Sequence, residues 1–277
     1  MSTLAQEVHP SALVDPSAEL AAGVRVGPNA VIGAGVRLGE GTEIGAGAQV
    51  VGPDTIVGRE NRIFPYSCIG FDPQDLKFEG EDSKLVIGDR NLFREFSTVN
   101  RGTGFGGGVT EIGSDNLFMA YSHVAHDCHV GDRCVFTNCA TLAGHVTVHD
   151  DATIGAFSAV HQFTRVGRHA YIGGYTVLTM DALPYVKTVG QKPACYGLNS
   201  IGLRRKGVAP DARRRLGEAM RFLLSSGLNT SQALEKIRAE LSGHEEIDYL
   251  VEFIEGSERG FVKAPPGKRG ERGGGGE

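Results

Sequence analysis

Apolar residues recur along this chain at every sixth position. From Val8 they fall at Val14, Leu20, Val26, Ile32, Leu38, Ile44 and Val50. After a one-residue slip come Val57, Ile63 and Ile69, and then Ile87, Phe93 and Val99. From Ile112 the series is unbroken: Phe118, Val124, Val130, Phe136, Leu142, Val148, Ile154, Val160, Val166, Ile172 and Leu178. All 26 of these leaders are apolar; the next residue is glycine in 12 hexads. The fourth residue after the leader is usually small, as at Ala12, Ala30, Thr42, Ser97, Cys128 and Ala140. A period of six matches neither an α-helix nor a hairpin sheet. It predicts one short strand and one turn per hexad, stacked as a coil.

The pattern resembles the left-handed parallel β-helix, with three hexads to each triangular coil. The fold class expected is therefore mostly β, with leaders and small residues stacked inside. Glycine after the leader is expected to ease corners that need φ > 0. Leaders 112, 130, 148 and 166 form column A; 118, 136, 154 and 172 form column B; 124, 142, 160 and 178 form column C. Counting back puts Val99 and Ile69 in column C as well. Two insertions leave the C-to-A corner, within about 71–84 ("FDPQDLKFEGEDSK") and within 101–111 ("RGTGFGGGVTE"). Loops this long in a compact repeat point to function or interface.

The last third changes character. Helical spacing is read over 208–227, 229–243 and 245–256, the second opening on a cap-like Asn-Thr. The expected organisation is a β-helix over 1–190, a helical domain over 191–263 that caps the open coil, and a disordered tail over 264–277.

Composition adds exclusions. A net charge of −5 gives no basic field for nucleic acid. No stretch is apolar enough to span a bilayer, and "MSTLAQEVHPSALVDP" has no signal-peptide pattern, so a cytoplasmic location is expected. Five cysteines, an odd count without a C-x-x-C spacing, count against a disulfide framework or zinc ribbon.

The chemistry concentrates in "YSHVAHDCHVGDRC" (121–134). His126, His145 and His161 fall on the C-to-A corner of successive coils, about 4.8 Å apart, with Asn100 one coil below. His123 and His129, each five after a leader, are assigned to the B–C and A–B corners. That separation counts against a three-histidine zinc site, so neither metal nor other cofactor is expected. Cys128 and Cys134 take the small inward position and read as inert packing. His126 beside Asp127 has the form of a general base with an orienting carboxylate. No G-x-S-x-G nucleophile motif is present, which favours direct transfer.

Taken together, "QDLKF" (74–78), "NRGT" (100–103), "AHDC" (125–128), "NCATLAGHV" (138–146), "AVHQF" (159–163) and "GLNSIGLRRKG" (197–207) resemble the UDP-N-acetylglucosamine O-acyltransferases over about residues 8–262. The resemblance implies transfer of an (R)-3-hydroxyacyl chain from acyl carrier protein to the 3-hydroxyl of UDP-GlcNAc, opening lipid A synthesis. It implies His126 as general base, Asp127 as its orienting group and the Gly144 N–H as oxyanion donor. Gln74, Asp75, Lys77, His123, His145, His161 and Gln162 match positions that hold the sugar, acyl chain or pyrophosphate. Asn199 and Arg205 match nucleotide contacts, and Gly174 and Tyr171 match positions of an acyl-length ruler. The family is a homotrimer with its cleft between chains.

Three residues depart from the common pattern: Asn100 replaces histidine, Ile201 glutamate and Lys206 arginine. The first two leave open a 3-amino UDP-sugar as acceptor. Rival readings are the related glucosamine N-acyltransferase, a coenzyme-A acetyltransferase, a γ-type carbonic anhydrase and a non-catalytic scaffold.

Overall fold

The computed structural model describes residues 6–265. The tail expected over 264–277 lies, apart from Ala264 and Pro265, outside the described residues.

Each hexad forms a strand that pairs in parallel with the strand three hexads on, as in Val124 with Leu142 and Leu142 with Val160. Three sheets result, and they form a left-handed parallel β-helix. Their membership is that of columns A, B and C. Ile69 pairs with Val99 and Val99 with Val124, so both lie in column C as the count expects.

Leaders fill the interior in like-on-like stacks. Phe93, Phe118 and Phe136 stack at 4.7 Å between centroids. Burying a side chain of this kind contributes about 2 kcal/mol over leaving it in water. Between the stacks lie the small inward residues, including Ala30, Ser97, Cys128, Cys134 and Ala140, all buried. Where that position is asparagine, the amides form a ladder. Asn91 N–H donates to Asn61 Oδ1 at 2.9 Å, and Asn116 N–H to Asn91 Oδ1 at 2.9 Å. A buried amide left unpaired would cost about 1–3 kcal/mol; the ladder pairs these.

The corners differ from expectation. Positive φ falls mainly three residues after the leader, where non-glycine residues such as Asn29, Tyr121, Asp127 and His145 occupy most of the sites; of the glycines directly after a leader, Gly70 alone has it. The glycine after the leader answers a different demand. A Cβ on Gly45 would lie 2.7 Å from Pro65 N, and one on Gly155 2.5 Å from Gly173 C. Coils approach too closely there for any side chain.

The first coil is loosely covered: Val8 is 43 % and Leu13 67 % exposed, whereas leaders from Val26 on are buried. The other end is closed. Strand Val186–Val189 extends the column B sheet and turns back antiparallel into Ala194–Leu198. Helices α1 (Ser200–Arg205), α2 (Pro210–Leu224), α3 (Thr230–Leu241) and α4 (Glu245–Glu255) follow. The antiparallel pair and α1 carry no helical or hexad period and were not expected. A reciprocal capping box between Asn229 and Gln232 starts α3. Leu216, Ile237 and Leu250 form a second core. Arg165 and Arg168 fasten it to the coil. Arg165 donates to Phe253 O at 2.7 Å and to Asp181, and Arg168 pairs with Glu245 at 2.9 Å.

Candidate active site

The two insertions run between Cys68–Phe71 and Lys84–Ile87, and between Thr98–Asn100 and Val109–Ile112. Their ends prolong the column A sheet, where Lys84–Ile87 pairs with Val109–Ile112 over four residues. Arg101, buried, joins them: it donates to Ser83 Oγ at 3.1 Å, pairs with Asp72 and lies 5.2 Å over the Phe78 ring. Asn100 Nδ2 donates to Asp72 O at 2.8 Å, while its Oδ1 is buried without a partner. Between insertion one and the coil lies a cleft of ≈ 710 Å³, lined by Gln49, Asp72, Gln74, Thr98 and Asn100. A second concavity, ≈ 700 Å³, lies on column B near the first coils; Glu43 pairs there with Arg25 and Arg62, and its one histidine, His9, meets only Ser11.

The insertions close over the C-to-A corner. His126 is 8 % and Asp127 2 % exposed, so the pair works in a desolvated setting. His126 Nδ1 lies 2.7 Å from Asp127 Oδ2. An ionised carboxylate only accepts, so Nδ1 carries the hydrogen, and in the neutral ring the lone pair is then on Nε2. Asp127 Oδ2 also accepts from Thr103 Oγ1 at 2.7 Å, and Oδ1 from Thr103 N–H at 2.9 Å. Across the gap, Asp75 Oδ2 is 3.8 Å from His126 Nε2, and Asp75 Oδ1 accepts from Lys77 N–H at 2.9 Å. The Lys77 side chain is exposed.

His145, one coil on, meets the His126 ring edge-on at 5.2 Å and stacks on Phe163 at 4.5 Å. Its Nε2 is 3.8 Å from Asp127 Oδ2. Burial pushes its pKa below the usual imidazole value, and the Asp127 charge offsets this in part. Gly144 packs against His126, where a Cβ would lie 2.5 Å from Cε1. The Gly144 N–H makes no hydrogen bond to another described residue. His161 and Gln162 stand exposed further along the same edge, with His161 Nδ1 3.1 Å from Gln162 O.

Two histidines are not where counting put them. His123 and His129 are strand residues on flat outer faces, not corner residues. Five after a leader is one before the next, so the side chain points outward from the strand. His123 bonds Thr98 Oγ1 at 2.7 Å, and burial lowers its pKa. His129 is exposed and meets Glu111 at 3.1 Å. His126, Asp127 and His145 do hold ligand-type atoms within 4.8 Å of one another. Asp127 already receives three donors, which suits a carboxylate–imidazole pair better than a metal ion. Cys128 and Cys134 are buried, their thiols pushed up to about 12 by desolvation.

Other candidates stay apart within one chain. Asn199 caps α1 and donates to His169 O at 3.2 Å, on the A-to-B edge. Arg205 is exposed in the same helix. Gly174 lies at the B-to-C corner, and Tyr171 on the column B face. The signal for Thr103 was present in "NRGT", but spacing gave it no partner. Gly106, where a Cβ would overlap the Asp127 carboxylate, was hidden in the same way.

The family model described as Udp N-acetylglucosamine O-acyltransferase; Domain 2 matches residues 181–262. Bacterial transferase hexapeptide (six repeats) matches 17–52 and 109–144. An acyl-(acyl-carrier-protein)–UDP-N-acetylglucosamine O-acyltransferase of Myxococcus xanthus is 48 % identical, over 93 % of this chain and 99 % of its own. One from Stenotrophomonas maltophilia is 45 % identical, over 95 % and 100 %. The solved Francisella novicida UDP-N-acetylglucosamine acyltransferase superposes with a TM-score of 0.90 at 35 % identity, covering 93 % of this chain and 94 % of that one.

Proposed function

The chain belongs to the UDP-N-acetylglucosamine O-acyltransferases, and from that membership we propose how its own residues carry the reaction. The enzyme moves an (R)-3-hydroxyacyl chain from acyl carrier protein to UDP-GlcNAc, the first step of lipid A synthesis. The observation that carries the mechanism is the buried His126–Asp127 pair beside the free Gly144 N–H.

In this reading His126 Nε2 takes the proton of the sugar 3-hydroxyl as its oxygen attacks the thioester carbonyl. Asp127 holds the ring through Nδ1 and balances the imidazolium charge. The tetrahedral oxyanion sits on Gly144 N–H, an interaction that typically lowers such a barrier by about 3 kcal/mol. Collapse breaks the C–S bond, and the imidazolium passes its proton to the departing thiolate of the carrier, leaving a neutral ring and a free thiol. Asp75, Lys77, Gln74, His145, His161 and Gln162 along this edge, and His123 on the adjoining column C face, serve as acceptor and acyl contacts.

We assign Asn199, Arg205, Gly174 and Tyr171 to a cleft completed by a neighbouring copy in a homotrimer. Support comes from the edge that bears Gly174, an exposed aromatic ladder. Tyr66, Phe96 and Tyr121 stack at 5.4 and 5.0 Å, and Phe157 on Tyr175 at 5.1 Å. Exposed rings in register are surface that an assembly buries. No described helix is long and apolar enough to cross a membrane. A cytoplasmic setting agrees with five cysteines that are all free.

The test uses purified protein, a panel of (R)-3-hydroxyacyl carrier proteins, and UDP-GlcNAc or its 3-amino analogue, read by mass spectrometry. Transfer that vanishes in His126→Ala supports the base. Preference for the amine would assign Asn100 and Ile201 to acceptor choice. Transfer undiminished in His126→Ala would sink the mechanism. A solution mass of one chain would sink the trimer.

A further inference from the structure

We propose that Thr103 is a positioning residue for this reaction: it fixes the Asp127 carboxylate so that His126 presents Nε2 to the acceptor. The proposal rests on the base reading of His126.

Thr103 is fully buried, and it enters the site from insertion two, at the N-cap of the short turn Gly104–Gly106. Its hydroxyl accepts from Gly106 N–H at 3.1 Å. A hydroxyl has one hydrogen, and an ionised carboxylate only accepts. The Thr103 hydrogen therefore goes to Asp127 Oδ2, 2.7 Å away. That is the oxygen that meets His126 Nδ1, also at 2.7 Å. A directed chain results: Gly106 N–H to Thr103 Oγ1, Thr103 O–H to Asp127 Oδ2, with His126 Nδ1–H meeting Oδ2 from the other side. Thr103 N–H holds Oδ1 at 2.9 Å, so both carboxylate oxygens are pinned by one residue. The terminal torsion of an aspartate is otherwise broad.

The backbone of Asp127 is specialised in the same way. At the next corners the residue three after the leader donates its N–H to the coil before, as His145 does to His126 O at 3.1 Å and Asp151 to Asp132 O at 2.9 Å. Insertion two displaces that neighbour under Asp127. Its N–H donates instead to Thr110 Oγ1 at 2.8 Å. Asp127 is thus held at main chain and side chain by two threonines of the inserted segment, while the repeat supplies only its position and a φ of 56°.

The test is steady-state kinetics on the full chain with Thr103→Val, Thr103→Ala, Thr103→Ser, Asp127→Asn and the Thr103→Val/Asp127→Asn double variant. Val and Ala should lower kcat about 10-fold, the lower end for loss of such a supporting contact. KM for the UDP-sugar should stay within about 2-fold, since the lost interaction acts in the transition state. Ser, which keeps the hydroxyl, should restore kcat to within about 3-fold. In the Asp127→Asn background Val should add less than about 2-fold, because Thr103 acts through Asp127. Ala removes the hydroxyl without new bulk and covers the case in which Val unseats the loop. A Ser variant as impaired as Val, a loss confined to KM, or full multiplication of the two single losses would overturn the proposal. In each of those cases His126→Ala stays inactive; full turnover in His126→Ala would instead bring down the base reading itself.

Discussion

The imidazole of His126 lies with its Cε1 side against Gly144, so close that a β-carbon on Gly144 would sit 2.5 Å from Cε1 and 2.7 Å from Nε2. Gly144→Ala keeps the N–H but must move the ring. The expected result is a fall in kcat of about 100-fold or more, the scale set by a misplaced catalytic group, with the melting temperature nearly unchanged. Wild-type turnover in Gly144→Ala would show that ring and N–H need not be held this tightly.

Arg101 ties one insertion to the other through Ser83, Asp72 and the Phe78 face. Asp72 is largely exposed, so solvent screening discounts the ion pair. The contacts left are worth about 2 kcal/mol. Arg101→Ala is expected to loosen 71–84 without melting the coil. Limited proteolysis should cut that segment faster, and UDP-sugar KM should rise. Cleavage at the wild-type rate would remove Arg101 from this role.

The thiols of Cys128 and Cys134 are pushed up to about 12 by burial. Nucleophilic thiolate is therefore scarce at pH 8. Iodoacetamide should leave both unmodified in the folded protein and label both after denaturation, read by peptide mass mapping. Rapid labelling of either in the native state would contradict the packing described.

Burial holds His123, His145, His149 and His169 below the ordinary imidazole value. The unfolded chain then binds protons at a higher pH than the folded one. Their contribution to stability is fully present above the unfolded value of about 6.5 and is lost as pH falls through the lower folded values. His149 is the sharpest test. It meets Tyr249 at 5.8 Å and Phe253 at 5.7 Å on α4, with Arg165, Arg168, Asp150 and Asp181 as its charged neighbours. His149→Gln should flatten the decline in melting temperature between about pH 7.5 and about pH 5.5. An unchanged slope would exclude His149 as a contributor.

What could be read from the sequence follows from what the repeat dictates. Leaders such as Val124 and Leu142 must stack, so counting by six placed them in their sheets, and with them the edge that bears His126 and His145. Counting failed where a residue's meaning comes from the neighbouring coil. Gly155 looked like a flexible corner and is a point of close approach. His123 and His129 looked like corner residues and are strand residues facing outward. Insertions carry no period at all, so nothing in "NRGT" said that Thr103 would grip Asp127. Asn199, Arg205, Gly174 and Tyr171 came from resemblance, and one chain leaves them away from the His126 edge.

The two ends of the coil are unequal. Val8 and Leu13 lie open at one end, while Arg165 and Arg168 bolt the other to a helical core. Layers of a solenoid lean only on their nearest neighbours. Such a stack comes undone like a zipper from its loose end. Amide exchange should be fast in the first turns and slow progressively toward the helices, with the His126 edge deep on the protected side. Heat and denaturant would therefore peel away the first turns before they reach the His126 edge.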